Sequence, residues 1–206
     1  MIAIVDYGMG NLRSVQKALE RVGATAAVTD DPATLDAVPG VVLPGVGAFG
    51  DAMDNLRARR LLGPVLRQVE RGKPLLGICL GMQLLFDESE EMGRHRGLGL
   101  LPGQVVRFPD GELKVPHIGW NQLQTSPGEL LEGITDGSYA YFVHSYYAVP
   151  KQPADVLATT EYGLDFAAVV GRGTIWGAQF HPEKSQEVGL RLLRNFARLV
   201  SEGNKP

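Results

Sequence analysis

Short apolar runs alternate with amphipathic stretches through the first half of the chain. IAIVD (2–6) is followed by LRSVQKALERV (12–22), whose apolar positions recur at helical spacing, and then by TAAVT (25–29). GVVLPG (40–45), a long helical region over about 51–71 closed by Gly72, PLLGI (74–78) and LGMQLLFDESE (80–90) continue the alternation. That order predicts parallel strands joined by crossover helices, an open α/β sheet. Asn11 is placed to cap the first helix and Gly23 to end it, while Lys73–Pro74 opens the next strand. From about Leu100 the pattern becomes strand-like: VVRF (105–108), YAYFVHSYYAV (139–149), DVLATT (155–160), DFAAVVG (165–171) and TIWGAQF (174–180). These pieces predict a mixed or antiparallel extension, closed by an amphipathic helix over about 186–202.

The 206 residues, 44% of them apolar, suffice for one sizeable core. A single domain is expected over 1–203, with 204–206 as a tail and disorder from Gly203 onward. The net charge of −3 comes from interspersed charges, and the longest basic cluster is Arg57, Arg59 and Arg60, which argues against a nucleic-acid partner. No apolar run approaches the roughly 18 residues of a membrane span, and MIAIVD meets Asp6 too soon for a signal peptide. One unpaired cysteine excludes an internal disulfide, so a reducing cytoplasm is expected.

That cysteine, Cys79, sits in G-I-C-L-G, the spacing of a nucleophile elbow with sulfur in place of a hydroxyl. Gly77 and Gly81 would remove Cβ atoms that collide with a sharp strand-to-helix turn, and the helix start beyond would favour a thiolate. A free cysteine is more commonly a buried structural residue, and the pentapeptide alone leaves both readings open. Four histidines are available as a base: His95, His117, His144 and His181. His181 ends the run TIWGAQF and is followed by Pro182 and Glu183, so a carboxylate two residues on can hold its imidazole tautomer while Nε2 faces the sulfur. The histidines are too widely spaced for a metal site, there is no second cysteine, and no metal is expected. An oxyanion hole requires two donors. The Leu80 amide after the nucleophile is one, and the glycine-rich loop of VVLPGVGAFGDAM (41–53) offers another, although that loop also reads as an ordinary turn.

Taken together, VDYGMGNLRSV, PGVGAFGDAM, GICLGMQLLFDESEE, GLGLLPGQVVRF, VPHIGWNQL, YFVHSYY and QFHPEKS resemble the class I (triad) glutamine amidotransferases. Within them, the set is most similar to the glutaminase subunits of imidazole glycerol phosphate synthase. The motifs run in order from residue 5 to residue 185; Ala48, Asp87 and Ile118 are small departures beside the reactive positions. The resemblance implies a flavodoxin-like sheet flanked by helices and hydrolysis of L-glutamine to glutamate and ammonia without a cofactor. It further implies delivery of that ammonia to a cyclase subunit in a heterodimer. It makes Cys79 the nucleophile, His181 the acid and base, and Glu183 its orienting partner. Val46 and Leu80 amides would hold the oxyanion, while Gly47, Gln83, Ser145 and Tyr146 would contact glutamine. Asn11, Trp120, Tyr141 and Lys184 fall in motifs that resemble the family's partner interface. Read singly, Asn11 is also a helix cap, the two aromatics are also core residues, and Lys184 is also a solvated charge.

A glutaminase that ran unattended would waste glutamine, and the Val46 peptide, flanked by Gly45 and Gly47, is free to rotate. Partner-dependent activity is therefore expected. The alternatives are the glutaminase serving pyridoxal phosphate synthesis, a non-catalytic α/β module, and a cysteine peptidase. GNLRSV, PHIGWN and YFVHSYY argue against the first and last, and the intact Cys79, His181 and Glu183 against the second.

Overall fold

The computed structural model describes residues 1–111 and 113–203; the tail at 204–206 lies outside the described residues. In chain order the elements are β1 (Ile2–Val5), α1 (Leu12–Arg21), β2 (Ala26–Thr29), α2 (Pro32–Ala37), β3 (Gly40–Gly45), α3 (Phe49–Ala58), α4 (Leu62–Glu70), β4 (Leu75–Cys79) and α5 (Leu80–Leu84). Then follow β5 (Phe86–Ser89), β6 (His95–Arg96), β7 (Leu101–Arg107), β8 (His117–Gln122), β9 (Gln124–Thr125), β10 (Tyr139–His144) and β11 (Tyr146–Pro150). The chain closes with β12 (Val156–Glu161), β13 (Asp165–Arg172), β14 (Ile175–Ala178) and α6 (Gln186–Glu202).

Eight strands form the main sheet in the order β2-β1-β3-β4-β14-β13-β12-β9. The first five pair in parallel, and β13, β12 and β9 extend them antiparallel. This is the open, mostly parallel sheet with an antiparallel extension that the alternation predicts. Every residue of β1, β3 and β4 is buried, which is why these strands read as unbroken apolar runs: both faces are covered. One face packs on α1 and α6 through residues such as Val15, Leu19, Leu193 and Phe196, the other on α3 and α4 through Met53, Leu56 and Val65. Each such fully buried side chain stabilises the fold by about 1.5–3 kcal/mol.

Two smaller sheets, β10-β8 and β11-β7-β5-β6, stand beside the main one. The run 139–149 is therefore not one strand. It breaks at Ser145, whose carbonyl accepts from the Phe108 amide at 3.0 Å, so that β10 pairs with β8 and β11 with β7.

Three other expectations need correction. The helical region over 51–71 is two helices, because Arg60 adopts φ +59° and turns the chain so that Leu61 is fully buried between them; no glycine marks this stop. The stretch 80–90 is helical only to Leu84. Phe86–Ser89 is a strand, parallel to β7, and Asp87 Oδ2 accepts from the Gly103 amide at 3.0 Å. Asn11 does occupy the cap position of α1, but its side chain makes no capping bond. The helix α2, absent from the expected elements, is capped by Asp31, which accepts from Ala33 and Thr34 amides at 3.2 and 2.9 Å.

Candidate active site

The carboxyl ends of the parallel strands converge on one cavity, where ligands bind in open α/β sheets. Strand β4 ends at Cys79, with Gly45 of β3 directly opposite it and Ala178 of β14 opposite Ile78. Cys79 has φ +54° and ψ −111°, a conformation strained for any side chain, and α5 begins at the next residue. Glycines make this turn sterically feasible. A Cβ on Gly81 would overlap the Leu43 carbonyl oxygen, and one on Gly77 would lie 2.5 Å from the Gly81 carbonyl oxygen. The elbow expected from G-I-C-L-G is thus present in the backbone.

His181 follows β14 and is almost fully buried, and its Nδ1 lies 2.9 Å from Glu183 Oε1. Since a carboxylate can only accept, Nδ1 carries a proton and Nε2 is the nitrogen left to exchange one. Pro182–Lys184 forms a single 3-10 turn that folds Glu183 back under the ring. Among the described residues neither His181 Nε2 nor Glu183 Oε2 makes a hydrogen bond of standard geometry, and the Cys79 sulfur is near enough to His181 to act on its charge. Burial works against a charged ring here, but the Cys79 sulfur and the Glu183 carboxylate outweigh it and raise the imidazolium pKa to about 10. Tyr7, whose hydroxyl donates to the Pro44 carbonyl at 2.7 Å, is pushed above its usual range by burial and by the charge of Cys79.

A cavity of about 320 Å³ opens over the sulfur. Val46, Gly47, Leu80, Gln83, Ser145 and Tyr146, all expected at the substrate, line it with Cys79 and His181. A larger concavity of about 610 Å³ lies at the opposite end of the strands, around Met1, Gly23 and Arg198, away from Cys79 and His181. The Gln83 amide nitrogen is committed, donating to the Tyr146 carbonyl at 2.9 Å and to Gln179 Oε1 at 3.1 Å, which leaves its oxygen for a ligand.

Three residues absent from the expected set belong to this site. Glu91 lines the cavity, accepts from the Phe49 amide at 2.7 Å, and is raised above the usual carboxylate range by burial, against the pull of that amide. Gln179, with no exposed surface, donates to Cys79 Sγ at 3.8 Å. His144 also lines the cavity; its Nδ1 donates to the Tyr146 carbonyl at 2.8 Å, so its Nε2 accepts, 3.2 Å away, from His117 Nδ1. Burial lowers the pKa of His144 to about 3 and of His117 to about 4, keeping both neutral.

Of the four residues expected at a partner surface, three cluster beside the cavity. Trp120 and Tyr141 are paired across β8 and β10 with ring centroids 5.9 Å apart, and Lys184 Nζ lies 5.8 Å from the Tyr141 ring centroid. Trp120 and Ile118 are exposed, 46% and 60%, on the same face of β8, so neither is a core residue. Asn11 is exposed at the start of α1, which packs against the 182–184 turn.

A family model described as "Glutamine amidotransferase class-I" matches residues 3–200. "Imidazole glycerol phosphate synthase subunit HisH" of Syntrophotalea carbinolica is 58% identical over 203 residues, covering 95% of this chain and 98% of that protein. The protein of the same name from Moorella thermoacetica is 59% identical, covering 97% of this chain and 95% of its own length. Among solved structures, one titled "Crystal structure of glutamine amidotransferase" superposes with a TM-score of 0.75 at 24% identity, covering 97% of this chain and 98% of its own, a likeness of fold. A model match that runs through both halves of the main sheet and spans Cys79, His181 and Glu183 means that this chain belongs to the class-I glutamine amidotransferase family.

Proposed function

We propose that the chain is the glutaminase subunit of an imidazole glycerol phosphate synthase. It hydrolyses L-glutamine to L-glutamate and ammonia and passes the ammonia to a cyclase subunit, which forms imidazole glycerol phosphate and aminoimidazole carboxamide ribotide in L-histidine biosynthesis. The observation that carries the reading is the strained Cys79 elbow beside the buried His181–Glu183 pair at the floor of one cavity.

In this reading the Cys79 thiolate attacks the side-chain amide carbon of glutamine, and the carbonyl electrons move to an oxyanion received by the Val46 and Leu80 amides. The His181 imidazolium gives its Nε2 proton to the amide nitrogen as the C–N bond breaks, releasing ammonia and leaving a γ-glutamyl thioester. Neutral His181 then takes a proton from water, which attacks the thioester carbon. Collapse of the second oxyanion expels the thiolate and frees glutamate. The backbone of Gly47, Ser145 and Tyr146 grips the substrate, Gln83 presents its oxygen to the amide NH2, and Glu91 meets the α-ammonium group.

The domain works as one unit over 1–203, a reading supported by a main sheet built from both halves of the chain. The exposed face of β8 and β10, with Trp120 and Tyr141 beside Lys184, receives the cyclase, since it borders the cavity from which ammonia leaves; Asn11 extends it. The protein works in the cytoplasm, which its single free cysteine suits. Among the described residues no helix is long and apolar enough to cross a membrane.

Glutamate release from glutamine, measured with and without a cyclase subunit carrying its ribulosyl ligand, tests the proposal. Cysteine-dependent release that rises steeply with the liganded partner is the expected result. Release indifferent to that partner assigns the glutaminase to another synthase, and no release in any mixture overturns the enzyme reading.

A further inference from the structure

We propose that Gln179 supplies a fixed N–H donor to the Cys79 sulfur, oriented by a relay of side chains that begins at the Tyr146 carbonyl. Each link of the relay follows from hydrogen-bonding capacity. A backbone carbonyl oxygen can only accept, so the end of Gln83 that lies 2.9 Å from Tyr146 O must be its NH2 group. The same nitrogen lies 3.1 Å from one end of the Gln179 amide, which must then be oxygen. The other end of Gln179, 3.8 Å from Cys79 Sγ, is consequently NH2. A rotated Gln179 amide would set NH2 against NH2 at Gln83 and oxygen against sulfur. The orientation is thus dictated 96 residues away along the chain, at Gln83, and by a carbonyl that His144 Nδ1 also engages at 2.8 Å.

Such a donor has a chemical consequence. Cys79 lies at the edge of β4 with Gly45 on one side, which offers no polar side chain, and Gln179 just beyond β14 on the other. The ionisable groups that face the sulfur are His181, backed by Glu183, and the Tyr7 hydroxyl, which is turned to the Pro44 carbonyl. Gln179 therefore adds a neutral donor that persists whatever the protonation state of His181. It stabilises the thiolate before attack and again when the thioester is hydrolysed and the sulfur leaves. It also holds Sγ to one side of the cavity, leaving the approach from the Val46 side to the substrate carbon.

The inference rests on Cys79 as the nucleophile of the proposed glutaminase. The test uses alkylation by iodoacetamide, which needs no glutamine, so failure of the glutaminase reading and failure of this inference are separate results. The rate of Cys79 alkylation is measured against pH for the full chain and for Gln179→Met, which keeps side-chain length and adds no charge while removing the donor. The thiolate midpoint is expected to rise by about one unit in the variant, a tenfold slower alkylation at a pH below the midpoint. An unchanged midpoint in the folded variant overturns the inference. In the unsubstituted protein, the side-chain amide protons of Gln179 are expected to shift in NMR spectra as the thiol titrates, and their invariance also overturns it, whether or not the variant folds.

Discussion

Gly81 of α5 and Leu43 of β3 approach so closely that the glycine's missing side chain is what separates them: a Cβ there would overlap the Leu43 carbonyl oxygen. The obstacle is backbone on both sides, with no flexible side chain to yield. Gly81→Ala is expected to destabilise the protein by about 1–3 kcal/mol or more, the cost of overpacking a rigid contact, and to displace Cys79. Thermal melting checks this, and an unchanged Tm would show that the elbow relaxes freely.

Glutamate release by the complex with its cyclase is expected to vanish in Cys79→Ala. In Glu183→Gln it should fall by roughly a hundredfold to ten-thousandfold, the range of a misdirected general acid and base. A Glu183→Gln enzyme at full rate would remove the carboxylate from the mechanism.

The His181 imidazolium is expected to persist far above the usual histidine range, losing its proton near pH 10. Its folded pKa exceeds its unfolded value of about 6.5, so its contribution to stability is complete below that pH and fades as pH climbs through about 10. NMR titration of the ring reads the midpoint directly. In Cys79→Ala the midpoint should drop, since the sulfur is one of the two groups that hold the ring charged.

His117 and His144 reverse that sign. Both are held neutral by burial, with folded values near 4 and 3, below the unfolded imidazole. The unfolded chain therefore binds protons first, and stability should decline as pH falls from about 6.5 toward 4. Denaturant midpoints across that range test this, and a flat profile would show that the pair carries a proton in the fold.

Glu91→Gln keeps an oxygen for the Phe49 amide but removes the charge that would meet the α-ammonium group of glutamine. The KM for glutamine should rise roughly tenfold to a hundredfold, with kcat changed little, as for a binding contact present in ground and transition states alike. An amide substrate that lacks the α-amino group should be hydrolysed equally by both enzymes; a KM unchanged for glutamine would free Glu91 of this role.

The parallel half of the fold was legible because β1, β3 and β4 are buried on both faces and so read as unbroken apolar runs, leaving few competing readings. Local pattern misled where tertiary contacts decide. DESE has helical spacing, yet Asp87 is worth more to the chain as an acceptor for Gly103, and Arg60 ends a helix through its own left-handed backbone in order to bury Leu61. Cys79 stood out through the glycines that flank it, and His181 and Glu183 through their spacing of two across a proline, signals that are local in sequence. Glu91 and the His117–His144 pair did not, since their neighbours are distant in sequence. Gln179 left one signal, a polar residue inside the apolar run TIWGAQF two positions before His181, whose meaning depends on strand adjacency to Cys79.

Cys79 is the sole thiol of the chain and lies at the floor of a single cavity. The molecule is for that reason a one-to-one target for thiol reagents: in the proposed reading of the site, every equivalent consumed by the native protein counts one nucleophile. A preparation's competent fraction can be read as a stoichiometry before any turnover is assayed, and a fluorophore or spin label placed there reports from one address only.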